Sequence, residues 1–446
     1  MQKLIVRNFG PIRELDLDIK DLSLFIGEQA TGKSTVAKLV YFFKKVVKDE
    51  LIGYLYSIKE KELDLDRHEE RGHRIIRLAY QGDIAHNFFE IFDGINPYFQ
   101  LDYKYKKNSW LHIDKDRIGG GYLKIRFSQV KYFESETNEK HLEVEDELHS
   151  ICKELANFRK KYIGDSGRYK EYERDEKRLE ITKKINNFFG EDPDTETIFI
   201  PAGRNMLTAL AERLPNKGWD MLMERFRDKI ADLKPVFGKS LSDIIKDKKS
   251  RGNGIPNSVI LDLSLEKIKE ILKGEYRVDK DGEKLYFNEN KFVKISLASS
   301  GQQEVVWILL QLFILILNRG KVFLIIEEPE AHLFPKAQKS LVELIALLFN
   351  ENNSQVFITT HSPYILTSFN NLIYAQNVGQ QHEEVSDIIP KPLWLDSDRI
   401  GAYKLANGNA EDLIDKETKM IKAEELDTVS RIINEDFDAL LNLELQ

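Results

Sequence analysis

The stretch that decides the fold is Leu22–Thr35, which reads LSLFI-GEQATGKS-T. The apolar run Leu22–Ile26 indicates a buried strand, and the residues after Ser34 have the spacing of a helix. Between them, Gly27–Ser34 fits the pattern G-x-x-x-x-G-K-[ST] without a mismatch. The two glycines allow backbone N–H groups to wrap around the phosphates of a nucleotide, and the helix start adds a positive dipole end. The pattern therefore predicts a phosphate-binding loop.

The loop residues have separate predicted tasks. Lys33 would contribute a mobile positive charge, and the Ser34 hydroxyl would ligate Mg²⁺. The expected cofactors are therefore ATP and Mg²⁺. The residues predicted to bind the nucleotide here are Gly27, Thr31, Gly32, Lys33, Ser34 and Thr35.

A second apolar strand ends in paired carboxylates. Val322–Ile326 is followed by Glu327 and Glu328. A buried parallel strand delivers its last residues to the carboxyl edge of the sheet, where open α/β folds bind their ligands. Adjacent residues at that edge point in different directions, so the two carboxylates can divide two tasks.

Two further segments complete the set of motifs. Ser299 and Gly301 precede a long apolar helix and offer a hydroxyl and N–H groups to an anion, although a plain helix N-cap explains Ser299 equally well. The strand Gln355–Thr359 leads into Thr360-His361-Ser362-Pro363. The histidine follows the paired carboxylates after one helix and one strand, which favours a functional role.

In this combination the motifs resemble those of ABC-type ATPases. Ser299-Ser300-Gly301-Gln302 is similar to the signature motif, with Ser300 where many members carry glycine. In that family the motif binds the γ-phosphate held by the other subunit. Glu327-Glu328 resembles the Walker B motif, although the usual first residue is aspartate, and His361 resembles the switch histidine.

The resemblance implies a role for each of these residues. Glu328 would orient and deprotonate the attacking water, and His361 would hydrogen-bond the γ-phosphate or that water. Glu327 would ligate Mg²⁺ together with Ser34. Nucleotide contacts from the signature segment would come from Ser299, Gly301 and Gln302.

Two other family features have candidate residues. Asn8 and Phe9 match the position near the adenine. The glutamine of the family's glutamine loop is Gln81, Gln100 or Gln129, and the sequence leaves these three alternatives open.

The subgroup is indicated by E-E-P-E-A-H-L and T-H-S-P, which together resemble the overcoming-lysogenization-defect (OLD) and RecF-like branch. Ile200-Pro201-Ala202-Gly203-Arg204 is similar to an I-P-A-x-R segment of bacterial relatives. Stand-alone ATPases of this branch resemble the sensor subunits of the anti-phage systems PARIS and Septu. This implies a homodimer or larger homo-oligomer, a separate nuclease or toxin as effector, and DNA or a phage protein as trigger.

The sequence leaves open two alternatives to the role in anti-phage defence. A RecF- or SMC-like DNA-repair ATPase would need a basic groove for duplex DNA. A scaffold that binds ATP without hydrolysing it would have no need of the Glu328 carboxylate. An intrinsic nuclease is not expected, because Asp396-Ser397-Asp398 has the features of a polar turn.

Composition indicates a soluble protein. The 446 residues are 42% hydrophobic and 31% charged, with a net charge of −8. Cys152 is the only cysteine, which excludes a disulfide framework and a cysteine-based zinc site and favours the cytoplasm. No signal peptide is visible, and Val305–Leu317 is predicted to be a buried core helix, so no membrane association is expected.

The predicted fold class is α/β, an ABC-type P-loop ATPase head with a mixed sheet and an inserted helical hairpin. The hairpin is predicted from an apolar stripe at Val144, Leu148, Ile151, Leu155, Phe158 and Tyr162, and from a second helix over Tyr169–Phe189. The predicted domains are 1–135 and 196–395 for the two parts of the head, 136–195 for the hairpin, and 396–446 for a C-terminal helical tail.

Local elements are also predicted. Strands are expected at Lys3–Val6 and Leu22–Ile26, with a polar turn at Asn8–Arg13 between them. A helix is expected over Ser34–Lys45. Hairpin turns are expected at Gly119–Gly121 and at Asp279–Gly282.

Overall fold

The computed structural model shows a mixed α/β fold, as the sequence predicts. It describes residues 2–56, 83–92, 96, 98–106, 109–115, 123–127, 151, 154, 158, 168–190, 195–209, 220–251, 254–422 and 428–444. The chain forms two compact units. The first comprises Met1–Ile19, Ala30–Thr197 and Asn407–Ala410, and the second Lys20–Gln29, Ile198–Ala406 and Glu411–Gln446.

The first unit contains an antiparallel sheet of five strands in the order β2-β1-β4-β5-β6. Its strands are β1 (Gln2–Phe9), β2 (Ile12–Ile19), β4 (Phe99–Lys106), β5 (Ser109–Lys115) and β6 (Leu123–Phe127).

Strand β2 was not predicted, because only two strands were expected before residue 27. From Leu15 onward its sequence nevertheless has the period of a half-buried strand, with buried Leu15, Leu17 and Ile19 separated by exposed residues. Many of those exposed residues are charged, so the segment has low overall hydrophobicity, and its alternation is a weak signal for a strand.

The helices of the first unit include a π-helical interruption. They are α1 (Lys33–Tyr41), a π-helix (Phe42–Val46), α2 (Val47–Tyr56), α3 (83–91) and α4 (Arg168–Phe188). The predicted helix Ser34–Lys45 is therefore helical throughout, but its last turn is π-helical. The Tyr105 hydroxyl donates a hydrogen bond to the Phe43 carbonyl at 2.8 Å, and such an outside donor disturbs the regular helical ladder.

The structure describes the second helix of the predicted hairpin and only single residues of the first. Helix α4 matches the predicted second helix, and its apolar residues Ile181, Ile185 and Phe188 are buried. Ile151 and Phe158 of the predicted first helix are buried too, but most of that helix lies outside the described residues. Gly119–Gly121 also lies outside them. The hairpin stays a prediction.

The second unit is organised around a six-stranded sheet in the order β14-β13-β3-β12-β11-β7. Strand β3 pairs in parallel with β12 and β13, and β11 pairs in parallel with β12. The strands are β3 (Leu22–Ile26), β7 (Glu196–Ile200), β11 (Val322–Glu327), β12 (Gln355–Thr360), β13 (Ile400–Ala406) and β14 (Asn409–Asp412).

The central strands are buried along their whole length. All five residues of β3 and all six of β11 are buried, which is the pattern of parallel strands covered on both faces. The helices of the second unit are α5 (Asn205–Ala209), α6 (Met221–Leu233), α7 (Leu241–Ser250), α8 (Ser258–Leu272), α9 (Ser300–Asn318), α10 (Pro335–Glu351), α11 (Pro363–Gly379), α12 (Val385–Ile388) and α13 (Thr428–Glu444).

A small antiparallel sheet also belongs to this unit. It has the order β10-β9-β8, from β8 (Glu275–Asp279), β9 (Gly282–Asn288) and β10 (Lys291–Lys294). The predicted turn at Asp279–Gly282 joins β8 to β9, so that prediction is confirmed.

Helix α9 contains the most apolar run of the chain. Its 19 residues have the length and composition of a membrane span, but 78% of its most apolar segment is buried inside the protein. This agrees with the predicted core helix.

Candidate functional site

Three parallel strands bring the predicted motifs of the second unit to one edge. Thr360 of β12 lies beside Ile26 of β3, and Glu327 of β11 lies beside Thr359 of β12. The phosphate loop therefore leaves β3 at the same carboxyl edge from which Glu328 and His361 continue. Ligands of open α/β sheets bind at such an edge.

The loop itself runs from the end of β3 at Ile26 to the start of α1 at Lys33. Gly32 is the N-cap of α1, with φ at 102°, and a Cβ there would lie 2.9 Å from Cγ1 of Ile12. Glycine is thus needed both for its backbone conformation and for space. Lys33 is 5% exposed, whereas Ser34 is exposed in the first turn of the helix.

The paired carboxylates have different surroundings. Glu327 is 4% exposed, and its Oε2 accepts a hydrogen bond from the Ala202 N–H at 3.2 Å. Glu328 is partly exposed and lies in the left-handed region at φ 44°, which is unfavourable for a residue with a Cβ. The Glu328 N–H donates to the Thr359 carbonyl at 2.8 Å. The backbone turn directs the two side chains to separate places, as the sequence predicts for residues that divide two tasks.

His361 stands next to Glu328. Its Nε2 lies 3.3 Å from Oε1 of Glu328, so the predicted base and the predicted switch histidine are neighbours. The His361 backbone N–H donates to Oε1 of Glu330 at 2.6 Å. Burial raises the pKa of the Glu330 carboxyl, and the hydrogen bond from His361 opposes that rise.

The segment that resembles the signature motif forms the start of α9. Ser299 is the N-cap and makes a capping box with Gln302, whose Nε2 also donates to the Leu272 carbonyl at 2.7 Å. The helix-cap interpretation of Ser299 is therefore correct, and it does not exclude an additional contact with an anion. Gly301 packs so closely that a Cβ would lie 2.6 Å from the carbonyl oxygen of His332.

One residue of the site had no predicted role. The Arg204 side chain is completely buried and donates to the carbonyls of Pro201 at 2.5 Å, Glu327 at 2.7 Å and Glu328 at 2.9 Å. It also forms an ion pair with Glu304 at 3.2 Å and donates to the Glu304 carbonyl. The similarity of Ile200–Arg204 to the I-P-A-x-R segment of bacterial relatives singles out this arginine. That similarity does not indicate which groups the arginine contacts.

The charge of Arg204 is compensated by several carboxylates. Burial lowers the pKa of its guanidinium, while Glu304 and, more weakly, Glu327, Glu330 and Glu328 act to raise it. A guanidinium keeps its proton in proteins, so Arg204 contributes a permanent positive charge beneath the acidic edge.

Several other predicted residues have different environments. Phe9 is fully buried among Phe88, Phe92 and Phe99, so it belongs to the core and its ring does not face an adenine. Asn8 donates to the Tyr98 carbonyl at 2.8 Å.

Of the three candidates for the glutamine loop, only Gln100 is described. It is exposed on β4 and donates to Asp102. Gln81 and Gln129 lie outside the described residues. Asp396-Ser397-Asp398 forms a tight turn in which the Asp396 carboxylate accepts the Asp398 N–H, as expected for a polar turn.

The predicted Mg²⁺ ligands have suitable chemistry. A serine hydroxyl and a carboxylate are oxygen donors of the kind that Mg²⁺ prefers, and the ion usually takes few protein ligands because water and phosphate supply the rest. Within the described residues no group of three or more His, Cys, Asp and Glu side chains could hold a metal ion. A site completed by nucleotide phosphates is compatible with that finding.

Comparisons with known proteins point to one family. The family model AAA_15, described as AAA ATPase domain, matches residues 1–366. A search of curated proteins gives no match.

Similar solved structures include the SMC head bound to the C-winged helix domain of ScpA, at 11% identity and a TM-score of 0.38, covering 93% of this chain and 98% of that chain. The SMC head domain from Thermotoga maritima has 10% identity and a TM-score of 0.34, covering 92% of this chain and 97% of that chain. The recombination mediator protein RecF with ATPγS has 10% identity and a TM-score of 0.33, again covering 92% and 97%.

Proposed function

This chain belongs to the AAA ATPase domain family, and from that premise we propose that it binds and hydrolyses ATP at sites shared between two copies, as ABC-type ATPases do. The observation that carries the proposal is the pairing of Glu328 with His361 at 3.3 Å on the edge where the phosphate loop begins. A carboxylate beside an imidazole at such an edge is suited to activate a water molecule.

The proposed division of labour follows from the environments of the side chains. Glu328 is partly exposed, so it can reach a water molecule and take its proton. Lys33 and the N–H groups at the start of α1 would hold the phosphates, and His361 would contact the γ-phosphate or the water. Mg²⁺, held by Ser34 and Glu327, would neutralise charge on the phosphates when bound.

The surface of the second unit supports pairing of two copies. Ser299 and Ser300 are exposed at the start of α9, where a second nucleotide could approach. Leu297, just before the signature segment, is 74% exposed, and Phe334, close in sequence to His332, is 78% exposed. Exposed large apolar side chains beside a helix start that we propose to bind an anion favour a protein partner at this face. We propose that this partner is a second copy, with Gly301 and Gln302 completing the contact to its ATP.

A more specific role is proposed from the resemblance. The chain would act in the cytoplasm as a sensor or scaffold subunit of an anti-phage system, controlling a separate nuclease or toxin in response to DNA or a phage protein. The tight turn at Asp396–Asp398 supports our proposal that this segment is not a nuclease site.

The first experiment measures phosphate release from ATP by the purified protein in the presence of Mg²⁺. Saturable turnover that depends on Glu328 is expected. Absence of turnover, with tight ATP binding retained, would favour the scaffold alternative.

A second experiment separates the biological roles. The protein is incubated with plasmid and linear duplex DNA with Mg²⁺ or Mn²⁺, and the DNA is analysed for cleavage. We expect no cleavage, and we expect copurification with the product of a neighbouring reading frame. Robust cleavage would contradict the absence of nuclease activity, and salt-sensitive duplex binding that stimulates ATP turnover would favour the DNA-repair alternative.

A further inference from the structure

The Arg204 side chain connects two segments that lie far apart in the sequence. Its Nη2 donates to the Glu328 carbonyl, 124 positions away, and forms the ion pair with Glu304, 100 positions away. The two glutamates belong to different parts of the second unit, since Glu328 follows strand β11 and Glu304 lies within helix α9. The guanidinium is planar and has fixed donor directions, so it can hold several acceptors in one geometry.

The Glu328 backbone needs such support. At φ 44° a glutamate is in the left-handed region, which is unfavourable for a residue with a Cβ and persists only where neighbours enforce it. Its N–H is held by the Thr359 carbonyl at 2.8 Å, and its carbonyl is held by Arg204 at 2.9 Å. The peptide bonds on both sides of Glu328 are therefore anchored, which fixes the direction in which its carboxylate leaves the strand.

The other side of Arg204 is anchored on the helix that begins with the signature segment. Glu304 is 1% exposed and accepts hydrogen bonds from the N–H groups of Arg204 at 3.2 Å and Asn205 at 2.7 Å. It lies in the second turn of α9, whose N-cap is Ser299. A displacement of the start of α9 would therefore move Arg204 and, through it, the Glu328 carbonyl.

We propose that Arg204 is a positioning residue: it holds the Glu328 carboxylate where it can take a proton from the water that attacks ATP, and it links this position to the helix that carries the signature segment. The proposal rests on the proposed ATPase function. Arg204 is completely buried, and it acts through the backbone of Glu328 and the side chain of Glu304. Substitution of Arg204 is therefore expected to reduce ATP turnover without reducing ATP binding.

The test uses Arg204→Lys, which keeps the charge but removes the fork of donors, in the full-length protein. We expect kcat to fall about 10- to 100-fold, the loss that a misplacement of about 1 Å can cause, with the Kd for ATP changed less than about threefold. Glu304→Gln keeps the shape of the partner and removes its charge, and we expect a smaller fall in kcat with the same unchanged Kd.

The matched control is Lys267→Met, which removes another basic side chain paired with a buried carboxylate, Glu343 at 3.2 Å. It should lower the thermal midpoint without changing kcat at a temperature where the variant is folded. If Arg204→Lys and Glu304→Gln are folded and turn over ATP at the wild-type rate, the positioning role is wrong. Failure of both to fold would also overturn it, because Arg204 would then be required by the fold itself.

The outcome for the wild type keeps the two proposals apart. If the wild-type protein hydrolyses ATP and the variants do too, only the role of Arg204 fails. If the wild-type protein does not hydrolyse ATP, the proposed function fails first.

Discussion

The phosphate loop and the edge that carries Glu328 both place a residue in the left-handed backbone region, but they hold it by different means. In the loop one such residue is Gly32, at φ 102°, which has no Cβ to clash with Ile12, and Ala30 at φ 61° is another. At the edge it is Glu328, whose conformation is held by the Thr359 carbonyl and by Arg204. One geometry comes from residue type within a contiguous segment, and the other from hydrogen bonds between distant segments.

Substitutions in the two regions should therefore have different effects on ATP binding and turnover. Loop substitutions remove groups that would touch the nucleotide, so binding should be lost. Substitutions at the edge leave the loop in place, so binding should persist while turnover is lost. Four variants follow in order of decreasing expected effect: the first two test this division, and the last two test the packing and the charge of the edge itself.

The largest effect is expected from Glu328→Gln. The amide cannot take a proton from water, so kcat should fall about 10²- to 10⁴-fold, the usual contribution of a general base. ATP affinity should be retained, and the ATP-bound form should accumulate as a dimer or larger oligomer. Phosphate release and light scattering after size-exclusion chromatography measure these two results. Normal turnover in the variant would remove Glu328 from the role of base.

Lys33→Ala tests the loop. Loss of the buried cation at the start of α1 should weaken ATP binding at least about 100-fold, or about 2.7 kcal/mol, as measured by calorimetric titration. Lys38→Ala, on the same helix but partly exposed, is the control and should bind normally. An unchanged affinity of the Lys33 variant for ATP would contradict the assignment of Gly27–Ser34 as a phosphate loop.

Gly301→Ala tests the close approach of α9 to the segment after the carboxylates. The added Cβ would lie 2.6 Å from the His332 carbonyl oxygen, so the helix start must shift, at a cost of about 1–3 kcal/mol in the free energy of unfolding. Denaturant unfolding measures this cost, and ATP-dependent pairing should weaken as well. Ser300→Ala, at an exposed neighbouring position, should leave the stability unchanged. Equal stability of the two variants would mean that the contact with His332 imposes no constraint.

The smallest effect is a pH dependence carried by Glu330. Its folded-state pKa is raised by burial, so the folded protein binds this proton more tightly than the unfolded chain. The stabilising contribution is therefore complete below the ordinary pKa of glutamate and is lost as pH rises through the raised value. Glu330→Gln should become more stable relative to the wild type as the pH rises from the ordinary pKa of glutamate through the raised value, as measured by urea unfolding. A stability difference that is independent of pH would contradict the raised pKa.

Several elements of the fold could be predicted from the sequence, and the reason is physical. Strand β3 was predicted with its observed bounds, and the hairpin at Asp279–Gly282 was found from its turn residues. These signals are local, since glycine, proline and apolar periodicity act on their own neighbourhood. Strand β2 has a weaker local signal because its buried residues are separated by charged ones. The π-helical turn accepts a hydrogen bond from Tyr105, 62 positions after Phe43, and local patterns do not show such a contact.

The sequence by itself determined the chemical inventory: a phosphate loop at Gly27–Ser34, paired carboxylates at Glu327 and Glu328, and a histidine at the end of a strand. Only the tertiary structure decided that Phe9 is a core residue and that Arg204 lies beneath the carboxylate edge. The physical reason is that a motif encodes side-chain types and local backbone conformation. The acceptors of a buried guanidinium are instead chosen by strand order and helix packing, which bring residues 100 or more positions apart into hydrogen-bond distance.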